Sequence, residues 1–119
     1  MKILICEDNK LASLVISSVL KKRDYTVEIA ADGNEALEKI RSGNPDLVIA
    51  DIHLPYHSGL ELVRYLRNDL GSEIPVIIVS AFSDRHVQDH AWELGISDYF
   101  VKPIDNEALA SRIDALLKK

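Results

Sequence analysis

The sequence predicts a doubly wound α/β domain, a five-stranded parallel sheet with helices on both faces, and three observations predict it. Three short apolar runs, Ile3-Leu4-Ile5-Cys6, Leu47-Val48-Ile49-Ala50 and Val76-Ile77-Ile78-Val79, are too short for helices, rich in β-branched residues and bounded by polar or turn residues, the pattern of strands covered on both faces. Segments with helical spacing lie between the strand candidates, so that strand and helix alternate along the chain, and right-handed crossovers then leave a parallel sheet as the compact arrangement. Finally, 119 residues of which 47% are hydrophobic suffice for one domain with one core. No internal repeat, low-complexity tract or compositional break marks a linker, so the expectation is a single domain over residues 1–119.

The elements follow in order. The first apolar run leads into a helix on which Leu11, Leu14, Val15 and Val19 share one face, expected to be the buried one. Thr26-Val27-Glu28-Ile29-Ala30 alternates, which suits a strand near the sheet edge. Asp32 followed by Glu35 resembles a capping box, and Gly43 with Pro45 closes the helix it opens. After the third strand, Ser58 can cap the next helix, which Gly71 and Pro75 separate from the fourth strand. A helix begins near Asp84 and ends at Gly95, with Trp92 expected to be partly buried on it. Tyr99-Phe100-Val101 is a short second edge candidate whose first two side chains point to opposite faces. Leu109, Ile113, Leu116 and Leu117 then stripe a last helix, with Arg112, Lys118 and Lys119 outside the stripe.

Charge and composition exclude several functions. Lys+Arg total 14 against Asp+Glu 19, and the basic residues are scattered, so the surface repels a phosphate backbone and no direct nucleic-acid contact is expected. No apolar stretch approaches the roughly 20 residues of a membrane span, and the first strand starts too soon after Met1 for a signal peptide. The lone Cys6 reads as a small buried apolar residue, and a cysteine-poor chain fits a reducing cytoplasm.

In an open α/β sheet the ligand site lies beyond the carboxyl ends of the strands. There the chain places Glu7 and Asp8 after the first strand, Asp51 at the end of the third, Ser80 at the end of the fourth and Lys102 at the end of the fifth. Three crowded carboxylates require a balancing cation, and Mg²⁺, which takes oxygen ligands and needs only one or two carboxylates plus a phosphate oxygen, is the natural one. Lys102 and the Ser80 hydroxyl suit phosphoryl oxygens. Spacing leaves open whether the phosphoryl group belongs to a bound ligand or becomes attached to Asp51. Elsewhere, His86 and His90 lie four apart on a helix with no acid or cysteine to complete a metal site, and His53 and His57 lie in a loop; solvation accounts for these.

Glu7-Asp8, Asp51-Ile52-His53-Leu54-Pro55 with Gly59 following, Val79-Ser80-Ala81 and Tyr99-Phe100-Val101-Lys102-Pro103 together resemble the receiver domain of two-component response regulators, over nearly the whole chain. The resemblance implies a flavodoxin-like strand order 2-1-3-4-5. It implies that Asp51 accepts a phosphoryl group from a sensor histidine kinase or phosphotransfer protein. It further implies that Asp8 and Asp51 bind Mg²⁺, with Glu7 acting through water and His53 through its backbone carbonyl, and that Ser80 and Lys102 hold the phosphoryl oxygens. Movement of Ser80 and inward rotation of Tyr99 would change the face formed by the fourth helix, fifth strand and fifth helix, altering its affinity for an effector, a covalently following output domain or a second copy. The Lys102-Pro103 bond resembles the family's often cis Lys-Pro.

The chain departs from the family pattern at Ser58, where many receivers carry an acid, and at His53 and Phe82, which flank the water path to an acyl phosphate; Phe82 cannot orient a water and is expected to prolong the phosphoryl state. Two enzyme or ligand-binding readings compete. A phosphohydrolase of the haloacid-dehalogenase type wants an acid two residues after its nucleophile, where this chain has His53. A flavin or nucleotide site wants glycines and free amides after the first strand, where this chain has Glu7-Asp8-Asn9-Lys10. A receiver that signals without phosphorylation is a further alternative. Met1 suits a natural N-terminus, and the chain is read either as a complete single-domain regulator or as the receiver of a longer protein.

Overall fold

A computed structural model describes residues 1–81 and 83–118. Phe82, to which the sequence assigns a place beside the water path, lies outside the described residues. The elements run β1 (Lys2–Cys6), α1 (Lys10–Lys21), β2 (Thr26–Ala30), α2 (Gly33–Gly43), β3 (Leu47–Asp51), α3 (Gly59–Arg64) with a π-helical turn (Tyr65–Asp69), β4 (Val76–Ser80), α4 (Arg85–Leu94), β5 (Asp98–Val101) and α5 (Asn106–Leu117). All pairings are parallel, in the order β2-β1-β3-β4-β5. The alternating β2 and the short β5 are the edges, and the three continuous apolar runs form the centre, as the patterning predicts.

The period-two alternation of strand side chains divides the core into two layers. Leu4, Cys6, Val48, Ala50, Val76 and Ile78 face α2, α3 and α4 through Ala36, Ile40, Leu62, Leu66 and Ala91. Ile3, Ile5, Leu47, Ile49, Ile77 and Val79 face α1 and α5 through Ile16, Leu20, Leu109 and Ile113. Cys6 is fully buried, with its thiol pushed up by burial, the inert state expected of a core cysteine. Tyr99 joins the first layer and Phe100 the second.

The caps are those the sequence marks. Asp32, Ser58 and Asp84 accept helix N–H bonds, and Glu35 reaches back to the Ala31 N–H. Gly95 closes α4 at φ 102, where a side chain would be strained. Gly43 is still helical, and the left-handed residue that ends α2 is Asn44 at φ 45.

One expectation is corrected. On α1, Leu11, Leu14 and Val15 are exposed, and only Val19 of the predicted stripe packs on the core; the buried face is Ser13, Ile16, Ser17 and Leu20. The serines are small enough to bring the helix close to the sheet, and the Ser13 hydroxyl is satisfied by donating to the Lys10 carbonyl at 3.0 Å. Trp92 is 47% exposed, half-buried as expected, while Ala91 beside it takes the fully buried position.

Candidate phosphoryl-binding crevice

Parallel pairing brings the ends of β1, β3, β4 and β5 to one edge of the sheet. Ile49↔Ile77 and Ser80↔Val101 are aligned partners, so Asp51, Ser80 and Lys102 emerge at neighbouring strand ends. The Glu7 N–H donates to the Ala30 carbonyl at 3.0 Å, extending the β1–β2 ladder by one residue and fixing where its side chain starts. Asn9 caps α1 through the Ala12 N–H, and its own N–H donates to Glu7 Oε1 at 3.0 Å. Asp51 Oδ1 accepts from the His53 N–H at 2.8 Å. The start of α3 passes so close behind that a Cβ on Gly59 would lie 2.6 Å from the Asp51 carbonyl oxygen, so only glycine fits there without a shift.

Lys102 holds the centre. Its Nζ lies 2.6 Å from Asp51 Oδ2 and 2.9 Å from Glu7 Oε2, and a cis Lys102-Pro103 bond follows. The side chains of Glu7 and Asp51 are 2% and 7% exposed, whereas that of Lys102 is 29% exposed. Burial pushes the Glu7 carboxyl up, and Lys102 and the Asn9 N–H only partly offset this. For Asp51 burial acts in the same direction, yet the Lys102 ammonium, the His53 N–H and a bond with Glu7 outweigh it and hold the carboxyl below its ordinary value. Lys102 is itself raised, the bonds to Asp51 and Glu7 overcoming the desolvation that would lower it. The two shifts run in opposite directions, so of the pair Asp51 is the carboxyl held toward its charged form.

Glu7, Asp8 and Asp51 each place a carboxylate oxygen within 4.8 Å of the others, with Asp8 on the exposed side. Such a set of hard oxygen donors, two buried and one open to solvent, fits Mg²⁺ with part of its water shell retained. Ser80 is fully buried at the end of β4, and its carbonyl accepts from the Lys102 N–H at 2.8 Å. Tyr99 is half-buried on the α4 side, and the His53 side chain is exposed in the loop after Asp51. The structure thus brings together Glu7, Asp8, Asp51 and Lys102 directly and sets Ser80 at the adjacent strand end. His86 and His90 are exposed on α4, and His57 lies 3.1 Å from Glu61 at the start of α3.

The strand order 2-1-3-4-5, with an acid cluster and a lysine at the carboxyl edge of the sheet, defines the class as a doubly wound α/β domain with a polar crevice at that edge. The profile described as response regulator receiver domain matches residues 3–114, and the chain belongs to that family. It is 39% identical over 118 residues to the response regulator ArlR of Staphylococcus saprophyticus, covering 99% of this chain and 53% of that protein. It is 37% identical over 113 residues to the transcriptional regulatory protein DltR of Streptococcus agalactiae, covering 95% and 50%. The chain therefore spans about half the length of the curated relatives it matches. Among solved structures, the receiver domain of the Francisella response regulator 1452 superposes with a TM-score of 0.93 at 31% identity, covering 98% of this chain and 96% of that one. The BeF3-activated N-terminal receiver domain of Klebsiella pneumoniae RstA gives 0.90 at 30% identity, covering both chains fully. Among the described residues, no helix is long and apolar enough to cross a membrane.

Proposed function

We propose that residues 1–119 act as one receiver domain in which Asp51 accepts a phosphoryl group from a sensor histidine kinase or phosphotransfer protein. The observation that carries this reading is the buried Asp51 carboxylate, kept ionised by Lys102 at 2.6 Å and by the His53 N–H at 2.8 Å. Attack by a carboxylate oxygen forms the O–P bond as the donor's P–N bond breaks, and the imidazole leaves. Asp8 and Asp51, with Glu7 through water and the His53 carbonyl, would hold Mg²⁺; when bound it neutralises the charge of the carboxylates and of the incoming phosphoryl group. Lys102 then exchanges its carboxylate partner for a phosphoryl oxygen, and the Ser80 hydroxyl takes another. The chemistry stays on the protein's own aspartate and ends in slow self-dephosphorylation, so the domain is a switch and not a turnover enzyme.

The phosphoryl group draws Ser80 toward it, Tyr99 rotates inward, and the α4–β5–α5 face changes its affinity for an effector protein, a covalently following output domain or a second copy. Trp92 and Val101, 47% and 39% exposed, give that face apolar area to bury. The domain does not itself contact nucleic acid, and it works in the cytoplasm. Incubation with acetyl phosphate and Mg²⁺ tests the reading: a mass increase of one phosphoryl group that Asp51→Asn abolishes supports it. Continuous release of phosphate from phosphate esters supports a phosphohydrolase instead, and an unlabelled but folded protein supports a receiver that signals without phosphorylation.

A further inference from the structure

The α4 helix is held unevenly. Of its ten residues only Ala91, in the second half, is buried. At its start, the cap formed by Asp84 with the His86 and Val87 N–H groups is local to the helix and exposed. At its end, the Gly95 carbonyl accepts from Arg67 Nε at 3.1 Å and from Nη2 at 2.9 Å, while Nη1 donates to the Ser72 carbonyl at 2.8 Å. One guanidinium thus ties the end of α3, the loop before β4 and the end of α4. Gly95 admits this approach, since a Cβ there would lie 3.2 Å from Arg67 Nε. Arg67 leaves from the π-helical turn Tyr65–Asp69, closed by the Leu70 N–H on the Tyr65 carbonyl at 3.0 Å, and the wider turn alters the direction of the side chain. Beside this clamp, Ile96 is buried.

We propose that Arg67 is a pivot: it fixes the carboxyl end of α4, so that a displacement begun at Ser80 and Ala81 swings the amino end of the helix about Gly95. Charge-assisted bonds from a planar fork to one carbonyl resist translation there, whereas among the described residues the first turns are held by the local Asp84 cap, the Gln88 Nε2 bond to the Ser83 carbonyl and the packing of half-buried Val87, with no side-chain fork to another element. The inference rests on the phosphoacceptor reading for the event that starts the motion, but the clamp itself is independent of that reading. Arg67 is a positioning residue and touches no reacting atom.

Hydrogen exchange read by mass spectrometry on the full chain tests both halves. Without phosphodonor, Arg67→Ala is expected to raise exchange of the 92–96 amides about tenfold or more, as loss of charge-assisted bonds requires, and to leave 85–89 unchanged. Arg67→Lys, which keeps the charge and loses the fork, is expected to fall between. With acetyl phosphate and Mg²⁺, the wild-type change is expected within 85–89 and to spread over all of α4 in Arg67→Lys. Unchanged exchange at 92–96 in both variants overturns the clamp. A wild-type change centred on 92–96, or the same pattern in Arg67→Lys, overturns the pivot. Failure of the wild type to gain a phosphoryl mass overturns the phosphoacceptor reading, with the swing that depends on it, and leaves the clamp to be decided by the first arm.

Discussion

Replacing Lys102 by methionine keeps most of the side chain's length and apolar stem but leaves Glu7 and Asp51 without their shared cation. The two carboxylates are 2% and 7% exposed, and the ammonium sits 2.9 and 2.6 Å from them. Breaking a fully buried pair costs about 3–5 kcal/mol. Two features lower that figure here. Lys102 is 29% exposed, so water already weakens its attraction, and Glu7, whose carboxyl burial raises, can take up a proton instead of remaining charged. The expected loss at pH 8 is therefore about 1–3 kcal/mol. Its pH dependence has a definite sign. Without Lys102 the ammonium that lowers both carboxyls is gone while burial still raises them, so the folded variant should bind more protons than folded wild type and its deficit should grow as pH rises. The variant should thus approach the wild type near pH 5 and separate from it toward pH 8. Mg²⁺ should reverse the effect, since a ligand at 100 times its Kd adds about 2.7 kcal/mol. Urea unfolding followed by circular dichroism between pH 5 and 8, with and without MgCl₂, measures each part. A variant as stable as wild type at pH 8 without Mg²⁺, or one most destabilised at low pH, refutes the electrostatic account of the crevice.

Other consequences follow from separate parts of the molecule. Gly59→Ala puts a Cβ 2.6 Å from the Asp51 carbonyl oxygen and should destabilise by about 1–3 kcal/mol, the usual cost of overpacking, while slowing labelling by acetyl phosphate; unfolding curves and timed mass spectra read both. Ile78→Ala in the centre of β4 should cost about 2–5 kcal/mol in the same unfolding assay. Tyr25, which burial and a hydrogen bond to Asp114 raise above the ordinary tyrosine value, should titrate at a lower pH in Asp114→Ala. The raised phenol contributes stability below pH 10 that is lost as pH rises further, and NMR titration of ring-labelled tyrosine detects the shift.

Much of the fold was legible because β1, β3 and β4 are continuous apolar runs, a pattern that arises when helices cover both faces of a sheet. The carboxyl-edge rule then placed Glu7, Asp8, Asp51, Ser80 and Lys102 together, and the structure sets them there at the ends of their strands. What hydropathy misread was α1, where the stripe of larger apolar residues lies outside and the stripe containing two serines packs inward. Both stripes have helical period and both carry large apolar residues, Ile16 and Leu20 on the inner one, so period and hydropathy did not distinguish them. Arg67 had no signature at all: its partners Ser72 and Gly95 offer backbone carbonyls, which every residue has, and the π-helical turn that aims it has no periodic mark. The departure of Glu7 from an ordinary acid was likewise hidden, because burial at the end of β1 and the bond from the Asn9 N–H are tertiary features.

The proposed acceptor is Asp51, and no other side chain in the crevice is expected to become the acyl phosphate. Borohydride reduces an acyl phosphate to an alcohol and spares phosphoserine and phosphohistidine, so treatment after incubation with acetyl phosphate and Mg²⁺ marks the acceptor permanently. Peptide mass spectrometry should then find the reduced residue at Asp51, with nothing reduced in samples that lacked phosphodonor or Mg²⁺. Reduction at Glu7 or Asp8, or a phosphoryl group that survives borohydride on Ser80 or His53, would contradict it.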